Sequence, residues 1–299
     1  PGSAPEVTVQ PVSLISYENP ESEWTMSVTA GGTSPLVYQW YKDGVMIEGA
    51  NDRIITGYYT EEYVGSYYVT IENQYGSAKS DTATVSLRVP APGSYEAIVK
   101  EMNPLAYWRL GDPVGSKYAA EYVNGLYGIY TTQTLGKAGA VKGDSDTAVG
   151  FDGASHVTIP GMSWSGNTVT FLCWVKPNGV QVDFTELMFQ RGSQKASGLD
   201  LVGNQVCYHW LDAAATYDYR SGLVLADGVW NLVAMVVTPS NVTFYLGDAN
   251  GRFDSAVNTA THDSAKLDGD FAIGGTISPS ATTRNLNGDM DEVAIFTRA

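Results

Sequence analysis

The chain has 299 residues, enough for two domains of ordinary size, and its 43% hydrophobic and 16% charged residues lie far from the composition of a disordered chain. With 17 Lys plus Arg against 32 Asp plus Glu, its net charge is −15, which repels polyanions at long range and excludes nucleic acid as a partner. No run of about 18 or more apolar residues is present, so no membrane-inserted helix is expected.

The 19 Tyr and 32 Gly, with many Thr, Ser and Val, favour pleated strands joined by tight turns. Short alternating apolar runs open the chain at 24–29, 37–41, 67–71 and 82–89, separated by Gly31-Gly32, Lys42-Asp43-Gly44 and Gly65-Ser66. Pro90-Ala91-Pro92-Gly93-Ser94 lacks any side-chain period and is rich in Pro. A first domain over 1–90, a linker at 91–94 and a second domain over 95–299 follow. Residues 95–102 fit one or two helical turns. Strand runs then recur at 148–151, 156–159, 168–175, 186–190, 205–211, 230–238, 242–246, 271–273 and 291–296, enough for two facing sheets. The fold class is all-β. The chain lacks an initiator Met and stops at Thr297-Arg298-Ala299, so it is expected to be a piece of a longer protein, secreted or on the cell surface. Its two cysteines, Cys173 and Cys207, can form one disulfide or remain buried thiols that act as small hydrophobes.

The stretches Tyr38-Gln39-Trp40-Tyr41-Lys42-Asp43-Gly44 and Gly65-Ser66-Tyr67-Tyr68-Val69 resemble bacterial immunoglobulin-like domains. The resemblance implies a core tryptophan at Trp40, a tyrosine corner at Tyr67, and Val28 and Val69 where the sandwich disulfide would stand. Five blocks of the second domain, in order, resemble the laminin G-like, concanavalin A-like jelly roll. They are Ala106-Tyr107-Trp108-Arg109-Leu110, 147–153, 169–177, 227–234 and Gly288-Asp289-Met290-Asp291-Glu292-Val293. That family contains lectins, adhesion modules and carbohydrate-binding modules. The resemblance also implies a structural Ca²⁺ near Glu121 and Asp291, where the alternative is a solvated acidic patch.

A nucleophilic enzyme would need Ser or Cys beside His and a carboxylate, but the histidines are only His156, His209 and His262, and no Gly-x-Ser-x-Gly elbow occurs. The same jelly roll hosts glucanases, yet Asp289 and Asp291 share a strand face while Glu292 points the other way, so a third catalytic carboxylate is lacking. No enzymatic activity is expected. Sugar binding requires exposed rings flanked by polar groups, and 206–220 supplies Tyr208, Trp210, Asp212, Tyr217, Asp218, Tyr219 and Arg220, with Trp164 in a polar loop. For Tyr208 and Trp210 a core role is equally open, and Trp108, Trp174 and Trp230 fit burial. The nearby acids favour a neutral glycan. The expected function is non-catalytic binding of a polysaccharide or oligosaccharide by a monomer whose first domain is a spacer; the alternative is a surface module adhering to another protein.

Overall fold

The computed structural model describes residues 2–192, 195–278 and 283–299. Two compact units are present. One holds the residues up to Pro90 together with Tyr122–Gly125; the other holds Ala91–Glu121 and Leu126–Ala299. The excursion at 122–125 is the one departure from a division at the Pro-rich break.

The first unit is an immunoglobulin-like sandwich. One sheet runs Leu14–Ser16, Ala83–Leu87, Gly65–Asn73, Val37–Lys42 and Val45–Met46, with Gly76–Lys79 paired to Gly65–Asn73. Opposite it lie the pairs Asn19–Ser27 with Ile54–Tyr59 and Glu6–Val9 with Thr29–Gly31. Alternation along Gly65–Asn73 buries Tyr67, Val69 and Ile71, which join Trp24, Trp40 and Val85 in the core. Trp40 is fully buried, and its Nε1 donates to the Asp52 carbonyl at 2.9 Å. The Tyr67 hydroxyl donates to the Tyr63 carbonyl at 2.7 Å, the local turn-back of a tyrosine corner.

The second unit opens with a helix at Tyr95–Glu101, capped by Ser94, whose Oγ accepts the Ala97 N–H at 3.1 Å. Two large antiparallel sheets follow among the described residues, beside a two-stranded pair of Trp164–Gly166 with Ala265–Leu267. The eight-stranded sheet runs Thr134–Ala138, Thr147–Asp152, Asn287–Phe296, Val169–Pro177, Asn231–Val237, Val242–Asp248 and Phe253–Asn258, with Ala106–Trp108 also paired to Asn287–Phe296. The seven-stranded sheet runs Tyr118–Ala119, Gly128–Ile129, Val157–Ile159, Phe271–Ile273, Thr185–Gln190, Ser197–Val202 and Gln205–His209. This is the two-sheet jelly roll. Period-two alternation sends Val169, Phe171, Cys173 and Val175 from one sheet, and Leu199, Leu201, Val206 and Tyr208 from the other, into a common core.

The cysteines are free and buried. Cys173 points into that core and Cys207, between Val206 and Tyr208, points to the opposite face of its sheet. Burial pushes the Cys173 thiol up to about 12 and the Cys207 thiol up to about 11. Both should resist alkylation by iodoacetamide at pH 8 in the native protein and react stoichiometrically in 6 M (about) guanidinium. Rapid native labelling of either thiol would contradict the burial.

Candidate functional site

The outward face of the seven-stranded sheet carries polar side chains in an unusual setting. Asp200 lies between the core residues Leu199 and Leu201, and His209 follows core Tyr208, so both project away from the hydrophobic interior. On the neighbouring strand a bulge between Glu186 and Met188 turns both Leu187 and Met188 into the core, while Glu186 stands directly opposite Asp200 in register. Despite facing outward, Glu186 and Asp200 are 1% and 0% exposed. Flanking segments cover them. Tyr217 stacks on the His209 ring at 5.5 Å and 26°, and Phe184 and Phe189 meet that ring edge-on at 5.5 and 5.4 Å. Arg191 lies over Phe189, and Arg284 lies over Phe184.

The charges are interlocked. Arg191 Nη2 donates to Glu186 Oε1, and Arg284 Nη1 stands 3.9 Å from the same oxygen. His209 Nδ1 is hydrogen-bonded to Asp200 Oδ2. Burial pushes the Glu186 carboxyl above the ordinary range, opposed by Arg191, Thr276 and Arg284. Burial does the same to Asp200, opposed by His209 first and then by the charges of Arg284 and Arg220. Glu186 Oε2, Asp200 Oδ1 and Arg191 Nε remain buried with no hydrogen bond of ordinary geometry. Phe184 adopts φ 64°, a left-handed conformation that costs a bulky residue about 1–2 kcal/mol and is held here at the rim of the cluster.

Of the residues singled out in the sequence, Tyr217 joins this cluster through its ring on His209, and Arg220 is exposed, its Nη1 donating to the carbonyls of Tyr217 at 2.9 Å and Tyr219 at 3.1 Å. Tyr208 and Trp210 do not join it: they are 0% and 1% exposed and belong to the core. Their polar atoms are satisfied there, Tyr208 Oη by His262 Nε2 at 2.9 Å and Asn258 Nδ2 at 3.0 Å, and Trp210 Nε1 by the Asp263 carbonyl at 2.7 Å. Neither ring can stack on a ligand. Trp164, on the short strand Trp164–Gly166, is half-buried against the core, and Tyr219 stacks on Phe244 at 6.0 Å. Asp212 and Asp218 are exposed on either side of the one-turn helix Ala214–Tyr217. Trp108 and Trp174 are buried as expected, whereas Trp230 is only half-buried, with Lys176 Nζ 5.5 Å from its ring centroid.

Glu121 and Asp291, the expected calcium ligands, both accept hydrogen bonds from the protein backbone. Glu121 is fully buried, and its two oxygens accept the backbone N–H groups of Tyr107 at 2.8 Å and Leu126 at 3.1 Å. Asp291 Oδ2 accepts the Ala140 N–H at 2.7 Å. Among the described residues no three His, Cys, Asp or Glu side chains converge as metal ligands. A second buried polar cluster explains the terminal acidic block. Arg109 Nη1 donates to Glu96 at 2.9 Å, and Nη2 lies 2.7, 3.0 and 2.7 Å from Asp144, Asp146 and Glu292. A bulge opposite Leu172 and Trp174, with Glu292 at φ 52°, turns the Glu292 carboxylate onto that guanidinium. This block is structural.

Residues 151–299 match the family model described as the concanavalin A-like lectin/glucanases superfamily. No curated protein matches the chain. Among solved structures, domain 4 of AbnA, a GH43 extracellular arabinanase from Geobacillus stearothermophilus in complex with arabinotriose, is 19% identical, with 66% of this chain and 93% of that one covered at a TM-score of 0.42. A mutant sialidase of Trypanosoma rangeli is 10% identical over 80% of this chain and 41% of its own, at a TM-score of 0.46. The titin M10–obscurin-like 1 immunoglobulin complex is 20% identical over 30% of this chain and 99% of that one, at a TM-score of 0.27.

Proposed function

We propose that the second unit is a non-catalytic carbohydrate-binding module of a larger secreted or surface protein, with the first unit as its spacer. Its ligand site is the cluster of Glu186, Asp200, His209, Arg191, Arg284 and Tyr217. One observation supports this reading: Glu186 and Asp200 stand opposite each other in register, and Glu186 Oε2, Asp200 Oδ1 and Arg191 Nε of this cluster are each buried with no hydrogen bond of ordinary geometry. An unmet buried polar atom costs about 1–3 kcal/mol, a cost that sugar hydroxyls, each a donor and an acceptor, would remove. The rings of Tyr217 and Phe184 beside them suit stacking on the C–H face of a pyranose or furanose. The way the acids are held supports the non-catalytic part of this proposal. Glu186 faces two guanidinium groups and Asp200 is bonded to His209, so both acids are already engaged within the protein.

A glycan array probed with the full chain tests the reading. Tyr217→Ala and Asp200→Asn should each weaken the captured glycan about five- to a hundredfold, a loss of about 1–3 kcal/mol, without release of reducing ends. Unchanged affinity in both folded variants would place the site elsewhere. The adhesion reading is favoured by one feature, an apolar cleft of about 270 Å³ on the eight-stranded sheet formed by Leu232, Ala234, Tyr245, Gly247 and Phe253. Binding that is lost in Phe253→Ser but kept in Tyr217→Ala would support it.

A further inference from the structure

We infer that the second unit carries another saccharide site, an open polar cleft on the outward face of its eight-stranded sheet that takes a stretch of neutral polysaccharide; this rests on the carbohydrate-binding reading above but not on the cluster assigned there. The core residues fix which side chains face out. Val149, Phe151, Val175 and Met290 point into the hydrophobic interior, so Gly150, Lys176 and Asp289 project the other way. The register sets them in one line: Thr134 pairs with Gly150, Gly150 with Asp289, and Asp289 with Lys176. Trp230, just before the next strand, extends the line, with its ring centroid 5.5 Å from Lys176 Nζ. Along the line lies a cleft of about 440 Å³, walled by Lys137, Asp152, Asn178 and Asn287.

The floor of the cleft holds a glycine that the fold does not require. Gly150 lies in a strand without a positive φ, and the nearest atoms that a Cβ there would meet are side-chain atoms, Lys137 Cε at 2.7 Å and Asp289 Oδ1 at 3.2 Å. Gly288 differs, since at φ 154° its Cβ would run into the Lys176 carbonyl oxygen. A glycine inside a strand weakens it and marks a place of close approach, here of the two charged side chains that line the cleft. Trp230 stands at one end, half-buried where the family resemblance places a core ring, and its solvent-facing surface suits stacking on a sugar C–H face. The charges decide what is bound. Lys137 and Lys176 are matched by Asp152 and Asp289, and Lys176 Nζ lies 2.9 Å from Asp289 Oδ2, so the cleft has no excess charge to attract an ion. Ammonium donors, carboxylate acceptors and the amides of Asn178 and Asn287 together meet hydroxyls, each a donor and an acceptor. From Thr134 to Trp230 the line crosses five strands, about 19 Å, which suits several linked sugars rather than one. The cluster of Glu186 and Asp200 lies on the outward face of the other sheet, so the two sites look away from each other and one short oligosaccharide cannot touch both.

The test titrates the full chain calorimetrically with neutral xylo-, manno-, gluco- and galacto-oligosaccharides. The wild type should take two oligosaccharides per chain and Tyr217→Ala one. In the Tyr217→Ala chain, Trp230→Ala should weaken the remaining site about five- to a hundredfold. Gly150→Val, which displaces Lys137 across the cleft floor and suits a strand, should do the same with an unchanged melting temperature. Raising NaCl from about 0.05 to about 0.5 M should leave this affinity as it was, and a loss with salt would overturn the neutral assignment. A single oligosaccharide lost in Trp230→Ala but kept in Tyr217→Ala supports this cleft and removes the cluster. Affinity and stoichiometry untouched by both Trp230→Ala and Gly150→Val overturn the cleft and leave the reading at Glu186 and Asp200 standing. No binding of any oligosaccharide by the wild type overturns both.

Discussion

Arg109→Met is expected to destabilise the second unit by about 3–5 kcal/mol, because it removes the one cation from a buried set of four carboxylates. The Arg109, Glu96 and Glu292 side chains are 2%, 2% and 1% exposed, and Asp144 and Asp146 are 20% and 19% exposed, so solvent screens the inner pairs little. Burial alone would lower the guanidinium's proton affinity, yet the bond and charge of Glu292, aided by Asp146, hold it above its ordinary value. The group is therefore charged at any pH the fold survives, and without it the acids repel. Lysine cannot replace it. An ammonium is a point charge with three donors, while Arg109 spreads bonds from Nε, Nη1 and Nη2 over Glu292, Glu96 and Asp144. Urea titration of the full chain, with hydrogen exchange at Trp108 and Val293 reporting on the second unit, measures the loss. A change below about 1 kcal/mol would mean that solvent reaches the cluster.

The second large effect is a stability that falls as pH rises. Burial first, and the charge of Glu292 second, push the Asp291 carboxyl up to about 8, and its Oδ1 is buried without a partner. In the unfolded chain the same group titrates near its ordinary value of about 3.9. Between about pH 4 and 8 the native state thus holds one proton more than the unfolded state, so unfolding free energy declines by about 1.4 kcal/mol per pH unit from this site. The contribution is fully present below pH 4 and is lost by the time pH passes 8. Asp291→Asn keeps the acceptor for the Ala140 N–H and cannot ionise, so it should remove that slope and leave the variant more stable than the wild type at pH 8. Parallel pH profiles of the two proteins would refute the assignment.

Much of the framework was legible because it rests on local patterns. The immunoglobulin-like resemblance implies the burial of Trp40 and Tyr67, and the alternating runs 169–175 and 231–237 report theirs through spacing. The linker is marked by Pro, and the first helix of the second unit by its Ser94 cap. The candidate site was not legible in the same way. Tyr208 and Trp210 share one face of a strand, but alternation cannot say which face is the core, and the exposed-ring reading chose the wrong one. Glu186 and Asp200 each sit singly in an apolar strand, and only the register across two strands, shifted by a bulge at 186–188, sets them opposite each other. A signal existed. An acid inside a strand with no other charge, as in Thr185–Gln190 and again in Ser197–Val202, needs a partner, and two such acids in consecutive strands could have been paired.

The strand Asn287–Phe296 stands near the centre of the eight-stranded sheet, between Thr147–Asp152 and Val169–Pro177, and also pairs with Ala106–Trp108. Among the described strands of the second unit it is the last to be synthesised. Until it emerges from the ribosome, two hydrophobic strands present open edges towards a gap that no earlier segment fills, and Arg109 lacks Glu292. The second unit therefore cannot fold vectorially as it is translated. Its nascent form should be a client for chaperones that shield unpaired strands, and any truncation before residue 287 should yield an aggregating chain.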